Sequence, residues 1–198
     1  LGQTDSVTID PHKLGYIPYP AGAFLLRDGR ARALVAIDPP YLTQASGDAR
    51  EDERFLGRWI LEGSKPGAAA AAVWLSHRVV PLDERGYGAI IARAVAGAHR
   101  LHAALAVDGT VRLPAPDLSV VNWVMTHPVV RGLAALNAIN ESVYRQLSPG
   151  DETPSYYITR TRLTSPAADG IVQPLLDALG VSDAEWQREG LVVLRAVV

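Results

Sequence analysis

Polar and apolar positions alternate at the start of the chain in a way that predicts a strand. Ser6-Val7-Thr8-Ile9 has a period of two and includes β-branched residues, as expected where one face of a sheet is covered. Gly22 to Arg27 holds the unbroken apolar run Ala23-Phe24-Leu25-Leu26 and reads as a buried strand. Gly15, Pro18, Pro20 and Gly22 force the stretch between them into a loop. Arg30 to Ile37 predicts a short helix, stopped by Asp38-Pro39-Pro40. Thr43 to Arg54 is almost wholly polar and predicts a mobile surface loop.

Two helices follow in the pattern. The first covers Gly67 to Val80, with Pro66 where a first turn tolerates it, five consecutive alanines suited to close packing, and Pro81 as a stop. The second runs from Glu84 to Val107 and ends near Asp108-Gly109. Leu113-Pro114-Ala115-Pro116 reads as a linker and divides the chain into lobes 1–112 and 113–198. Beyond it come a strand over Ser119–Met125, a helix over Val129–Leu147 and a strand of alternating polarity over Ser155–Thr164. Helices over Ile171–Leu179 and Ser182–Glu189 follow, the second opened by a capping box between Ser182 and Glu185. The apolar run Leu191–Val198 is a final strand. The mixture is α/β, without internal repeats.

Composition narrows what such a chain does. Apolar residues make up 48% of 198, enough for a real core. A net charge of −2 with no basic block argues against nucleic acid as a partner. No apolar run reaches membrane-spanning length. The absence of cysteine excludes disulfides and thiolate chemistry and fits a cytoplasmic setting. His99 and His102 share a helix face at i, i+3, but without a carboxylate motif beside them no metal site is expected. Leu at the start and an apolar run at the end resemble cuts through structured regions.

The chemistry concentrates in Asp10-Pro11-His12-Lys13, just after the first strand. A lysine at the end of an extended segment, with a histidine before it, suits the Schiff base of pyridoxal phosphate (PLP). The lysine supplies the amine that holds the aldehyde, and the imidazole can stack on the cofactor or hydrogen-bond its phosphate. With Lys13 so early in the chain, whatever builds the other side of a cofactor pocket must come from elsewhere. Glu62-Gly63-Ser64-Lys65-Pro66-Gly67 places a hydroxyl before a helix start, which suits a phosphate or simply caps the helix.

These residues resemble the group II PLP-dependent amino-acid decarboxylases, and most of all the bacterial L-tyrosine decarboxylases. The similarity runs through Asp5–Tyr19, Ile60–Gly67, Gly86-Tyr87-Gly88, Ser182-Asp183-Ala184-Glu185-Trp186 and Val193-Leu194-Arg195-Ala196. The resemblance implies the aspartate-aminotransferase-like (type I) fold. Residues 1–112 would end the large PLP-binding domain and 113–198 would form the small C-terminal domain.

The resemblance also implies roles for individual residues. Lys13 is the Schiff-base lysine, and His12 contacts the cofactor phosphate. Tyr41, on the mobile loop, protonates the substrate carbon after carbon dioxide leaves. Ser64 reaches the phosphate of the partner subunit in a homodimer. Tyr19 lines the substrate pocket or packs as a loop aromatic. The family's ring-stacking histidine and the aspartate on its pyridine nitrogen precede the lysine by more than twelve residues. The resemblance therefore makes this the C-terminal part of a longer enzyme and leaves the isolated piece inactive. The reaction implied is L-tyrosine to tyramine and carbon dioxide. The alternatives are a glutamate or aspartate decarboxylase of the same family, and a non-catalytic structural or dimerisation fragment.

Overall fold

The structure, a computed structural model, describes residues 2–18, 20–38, 55–148 and 156–198. The chain divides into two compact units, Leu1–Gly88 and Ala89–Val198.

In the first unit, β1 (Ser6–Ile9) and β2 (Ala23–Leu26) form an antiparallel ribbon in which Ser6 faces Leu26 and Ile9 faces Ala23. Both strands fall where the sequence pattern puts them, but β2 is not buried: Phe24 is 63% and Leu25 54% exposed. A ribbon of two strands has no second layer to cover it, and an apolar run reports the wish to be buried rather than the cover. The helix expected over Arg30–Ile37 is a 3-10 turn, Gly29–Val35, held by the Asp28 carboxylate, which accepts from the Arg30 N–H. A second 3-10 turn, Leu56–Trp59, precedes helix α1 (Ala68–Val79). The alanines of α1 are not packed into a core: no residue of the helix is buried.

The second unit is built on a four-stranded antiparallel sheet. Helix α2 (Tyr87–Ala104) leads into it, its first residues still in the first unit. Next come β3 (Thr110–Arg112), β4 (Val120–Met125), α3 (Leu133–Leu147), β5 (Thr159–Leu163), α4 (Asp169–Leu179), α5 (Asp183–Glu189) and β6 (Leu191–Val197). The strand order is β3-β4-β6-β5. The last strand in sequence is thus an inner strand, and Leu191 to Leu194 are all buried. Alternate residues feed opposite faces. Leu191, Val193 and Val124 join Leu133, Leu136, Val172, Leu176 and Trp186 on one face. Leu194, Val121 and Trp123 join Ala98 and Ile158 on the other. Strand β3 escapes the sequence pattern because three residues carry no usable periodicity.

Two helix starts and one capping pattern differ from the periodic reading, each for an identifiable reason. Helix α2 starts at Tyr87, not Glu84, because the Asp83 carboxylate binds the N–H groups of Arg85 (2.9 Å) and Gly86 (2.8 Å) in a turn. Helix α3 starts at Leu133, not Val129, because Gly132 takes φ 79°, a conformation that favours glycine. In α5, Ser182 caps the Glu185 N–H as a capping box requires, but Glu185 does not reciprocate. Its carboxylate accepts from the Leu133 N–H at 2.5 Å and so caps α3 instead.

Two buried amides fasten α3 to the sheet. Asn140 accepts from the Met125 N–H (2.8 Å) and donates to the Met125 carbonyl (3.1 Å) and the Leu136 carbonyl (2.9 Å). Asn137 accepts from the Val192 N–H (2.8 Å) and donates to the Gly190 carbonyl (2.9 Å). Replacing Asn140 with Ala removes both partners of the Met125 peptide groups at once. The expected loss is about 1–3 kcal/mol in urea unfolding, whereas Gln146→Ala on the exposed face of α3 should stay within about 0.5 kcal/mol. Equal effects for the two variants would show that the buried amide has no special weight.

Candidate active site

The segment Asp10–Ile17 folds as successive turns. The Lys13 N–H donates to the Asp10 carbonyl (3.0 Å), the Tyr16 N–H to the Lys13 carbonyl (3.0 Å) and the Ile17 N–H to the Pro11 carbonyl (3.1 Å). Lys13 therefore has both its N–H and its C=O engaged within the turn. A Cβ on Gly15 would lie 2.6 Å from the Pro11 oxygen and 2.9 Å from its Cα, so the two backbones meet this closely only because residue 15 is glycine. Tyr16 follows at φ 54°, a conformation rare for an aromatic residue and forced by the tightness of the turn. The buried Ile17 and Ala21 anchor the far side.

The Lys13 amine stands 2.6 Å from Asp10 Oδ2, and its side chain is 64% exposed. The hydrogen bond from Lys13 holds the Asp10 carboxyl below its usual value; desolvation opposes it, and the positive charges of Lys13 and His12 add to it. Such an open pair adds little to stability. Its effect is to orient the amine over the turn that carries its own backbone. The His12 ring is fixed differently: Nδ1 donates to the Ala21 carbonyl at 2.5 Å. With Nδ1–H so engaged, the ring can donate a further hydrogen bond through Nε2 only as imidazolium.

A second anchor comes from 72 residues further along. The Tyr87 hydroxyl donates to the Gly15 carbonyl at 2.8 Å, and Tyr87 itself is buried. The cluster is thus Asp10, His12, Lys13, Gly15 and Tyr87. Ser64 is exposed and lies before α1; its N–H donates to the Glu62 carbonyl at 2.7 Å. No hydrogen bond among the described residues links Ser64 to the Lys13 cluster. Ser64 is not the cap of α1, since Gly67 holds that position without a side-chain hydrogen bond. The first turn of this helix therefore presents N–H groups that no cap side chain binds, the arrangement that suits an anion.

Tyr19 and Tyr41 lie outside the described residues. The two ends of the stretch that holds Tyr41 are nonetheless tied together. The Ile37 N–H donates to the Arg58 carbonyl (3.0 Å), and the Arg58 guanidinium pairs with Asp38 (2.9 Å). Trp59 is stacked by Arg32 and Arg58, whose guanidinium carbons are 4.4 and 4.9 Å from the ring centre.

Sequence reasoning missed two members of the cluster. The i, i+3 spacing of Asp10 and Lys13 across a proline turn was a usable signal for the ion pair. The signal for Tyr87 was weaker: an aromatic residue between two glycines at the start of a helix.

No protein-family model matches the chain. An L-tyrosine decarboxylase of Enterococcus faecium is 36% identical over 211 residues, which cover 100% of this chain and 34% of that protein. A probable L-tyrosine/L-aspartate decarboxylase of Methanosphaerula palustris is 31% identical over 128 residues, covering 65% of this chain and 32% of that protein. Among solved structures, Oryza sativa TDC, crystallised with PLP and tryptamine, superimposes with a TM-score of 0.70 at 16% identity and covers 100% of this chain and 35% of that one. The fold is that of the C-terminal part of the PLP-dependent decarboxylases. Within that class the chain is homologous, over its whole length, to the C-terminal third of the L-tyrosine decarboxylases. It spans about a third of the length of the curated relatives it matches.

The donor set fits a phosphorylated aldehyde cofactor. It offers an accessible primary amine on a backbone held from two sides, an imidazole beside it, and a helix start without a side-chain cap.

Two outcomes follow from this geometry. By NMR, the Asp10 carboxyl should titrate below 3.8 and move back toward that value in Lys13→Ala. Because the folded-state value is depressed, the pair is complete above the ordinary carboxylate range and is lost as pH falls through the lowered value. An unshifted titration in the parent would remove the ion pair from the site. In Gly15→Ala, the clash with Pro11 should speed hydrogen exchange at the Lys13, Tyr16 and Ile17 amides by at least about tenfold. Unchanged protection would mean the turn has room that the geometry denies it.

Proposed function

We propose that this chain is the C-terminal part of a PLP-dependent decarboxylase that converts an L-amino acid, L-tyrosine first among the candidates, to its amine and carbon dioxide. One observation carries the reading. In a chain homologous to a third of the L-tyrosine decarboxylases, the Lys13 amine is exposed on a turn whose backbone is anchored both locally and by Tyr87.

In this reading the Lys13 amine would hold the cofactor through its aldehyde carbon. When bound, the cofactor supplies an electron sink for the pair left behind as carbon dioxide departs. His12 faces the phosphate, and Ser64 with the first turn of α1 offers it a hydroxyl and N–H groups. That second contact is proposed to cross a homodimer interface. Tyr41 holds the proton that the substrate carbon takes up. That proton should be released only once water is excluded, so that it reaches the right carbon. Tyr19 lines the substrate pocket.

The partner of the pyridine nitrogen belongs to an N-terminal part of the same enzyme, which this reading requires. The domain assignment, large domain through residue 112 and small domain from 113, is part of the proposal, as is a cytoplasmic location. Among the described residues, no helix is long and apolar enough to cross a membrane. Aspartate is the second substrate to test, because a relative over 65% of the chain has tyrosine and aspartate in its name.

The test is borohydride reduction of the full-length enzyme, peptide mapping, and an amine-product screen over tyrosine, aspartate and glutamate. A phosphopyridoxyl adduct on Lys13 with tyramine as product is expected. Full-length Lys13→Ala should lose both adduct and turnover, and unchanged turnover would overturn the assignment. Tyr41→Phe should lower amine formation by about 100-fold or more and divert product toward aldehyde. Clean amine at the parent rate would remove Tyr41 from its role.

A further inference from the structure

We infer that Tyr87 is a positioning residue for Lys13, acting through the Gly15 carbonyl; this rests on the reading of Lys13 given above. The turns around Lys13 are short-range, each closed by hydrogen bonds within residues 10–17. Such turns fix a shape but not its place on the rest of the unit. The Tyr87 hydroxyl supplies a long-range tether, binding the carbonyl two residues beyond the lysine at 2.8 Å.

Tyr87 is itself built in rather than draped across the surface. It is 6% exposed, one of the few buried side chains among the described residues of its unit. Its ring stands edge-on to His77, with centroids 5.5 Å apart and planes at 90°. Its N–H donates to the Pro81 carbonyl at 3.0 Å, and the Gly88 N–H donates to the Asp83 carbonyl at 2.9 Å. The glycines on either side make this approach possible. A Cβ on Gly86 would lie 2.1 Å from the Pro81 oxygen, and one on Gly88 would lie 2.8 Å from the Asp83 oxygen. Gly86-Tyr87-Gly88 is therefore a wedge pressed against the Pro81–Asp83 turn, with the phenol as its only hydrogen-bonding side chain. An aromatic ring would fill the space equally well as phenylalanine. The hydroxyl adds one thing, a fixed distance between the start of α2 and the lysine turn.

In that reading the Lys13 amine would have to meet the cofactor's aldehyde carbon in the same place every time. A tethered backbone limits the positions the amine can search, so the linkage forms faster and is tighter at rest. Tyr87→Phe keeps the ring and its edge contact and removes only the hydroxyl.

The experiment uses the full-length enzyme, with PLP itself as probe. The parent is first reduced with borohydride and mapped. Then PLP affinity, the rate at which lysine-linked cofactor absorbance recovers after apoenzyme is mixed with PLP, and urea stability are measured for the parent, Tyr87→Phe and Asn140→Ala. We expect Tyr87→Phe to weaken PLP affinity and slow recovery by about 3–10-fold, and to speed hydrogen exchange at residues 13–17 while α1 is unchanged. Asn140→Ala should lose at least as much stability and keep the parent's affinity and rate. Parent-like affinity and rate in Tyr87→Phe would overturn the positioning role. So would losses in both variants that simply track stability. Absence of a Lys13 adduct in the parent would overturn the function proposed above, a different result from either.

Discussion

The second unit depends on two buried amides. Apolar packing brings α3 to the sheet, but burial is non-directional and would accept the helix at several positions along its axis. Asn140 engages both polar groups of Met125 at the end of β4. Asn137 bridges the Gly190 carbonyl and the Val192 N–H at the start of β6. A shift of α3 by one residue would leave four backbone groups and two amides buried without partners, and each orphan costs about 1–3 kcal/mol. The amides therefore set the register of helix on sheet. The apolar side chains, including β6 with its four consecutive buried residues, supply most of the driving force.

The first unit is organised on the opposite plan. Among its described residues only Ile17, Ala21 and Tyr87 are buried, and its order comes from turns, close backbone contacts and a few directed hydrogen bonds. The Lys13 turn depends on a glycine that lets two backbones touch, and on a phenol that reaches it from the start of α2. Precision without burial has to come from backbone geometry. The exposed β1–β2 ribbon and α1 belong to the same picture.

Legibility in the sequence follows the range of the interaction. β1, β6 and most of α1 were readable because their signals are continuous and local. The Asp10–Lys13 turn is local in the same sense, closed by hydrogen bonds within a few residues. The burial of β2 was not, because it depends on a covering layer that no residue of β2 encodes. The Arg30–Ile37 segment is a 3-10 turn because Asp28 captures the Arg30 amide and the segment has no partner face to reward a full α-helix. Glu185 sits in a capping-box pattern, yet its carboxylate serves a helix fifty-two residues away, an outcome fixed only once α5 and α3 have packed. The Tyr87–Gly15 bond is longer in range still. Its trace in the sequence is steric, the two glycines, rather than chemical.

The crossed cap has a consequence for how this unit opens. A reciprocal capping box would let α5 fray from its own first turn without disturbing anything else. Here the carboxylate that leaves when α5 melts is the one satisfying the first amide of α3, at a point where a Cβ on Gly132 would lie 3.0 Å from the carboxylate oxygen. Loss of α5 therefore removes a cap from the start of α3, at a cost of about 0.5–2 kcal/mol, and unwinding of that start frees the carboxylate of α5. Breathing motions of this region are thereby coupled into one sub-global event, and the two helices belong to a single cooperative block despite the half-hundred residues between them.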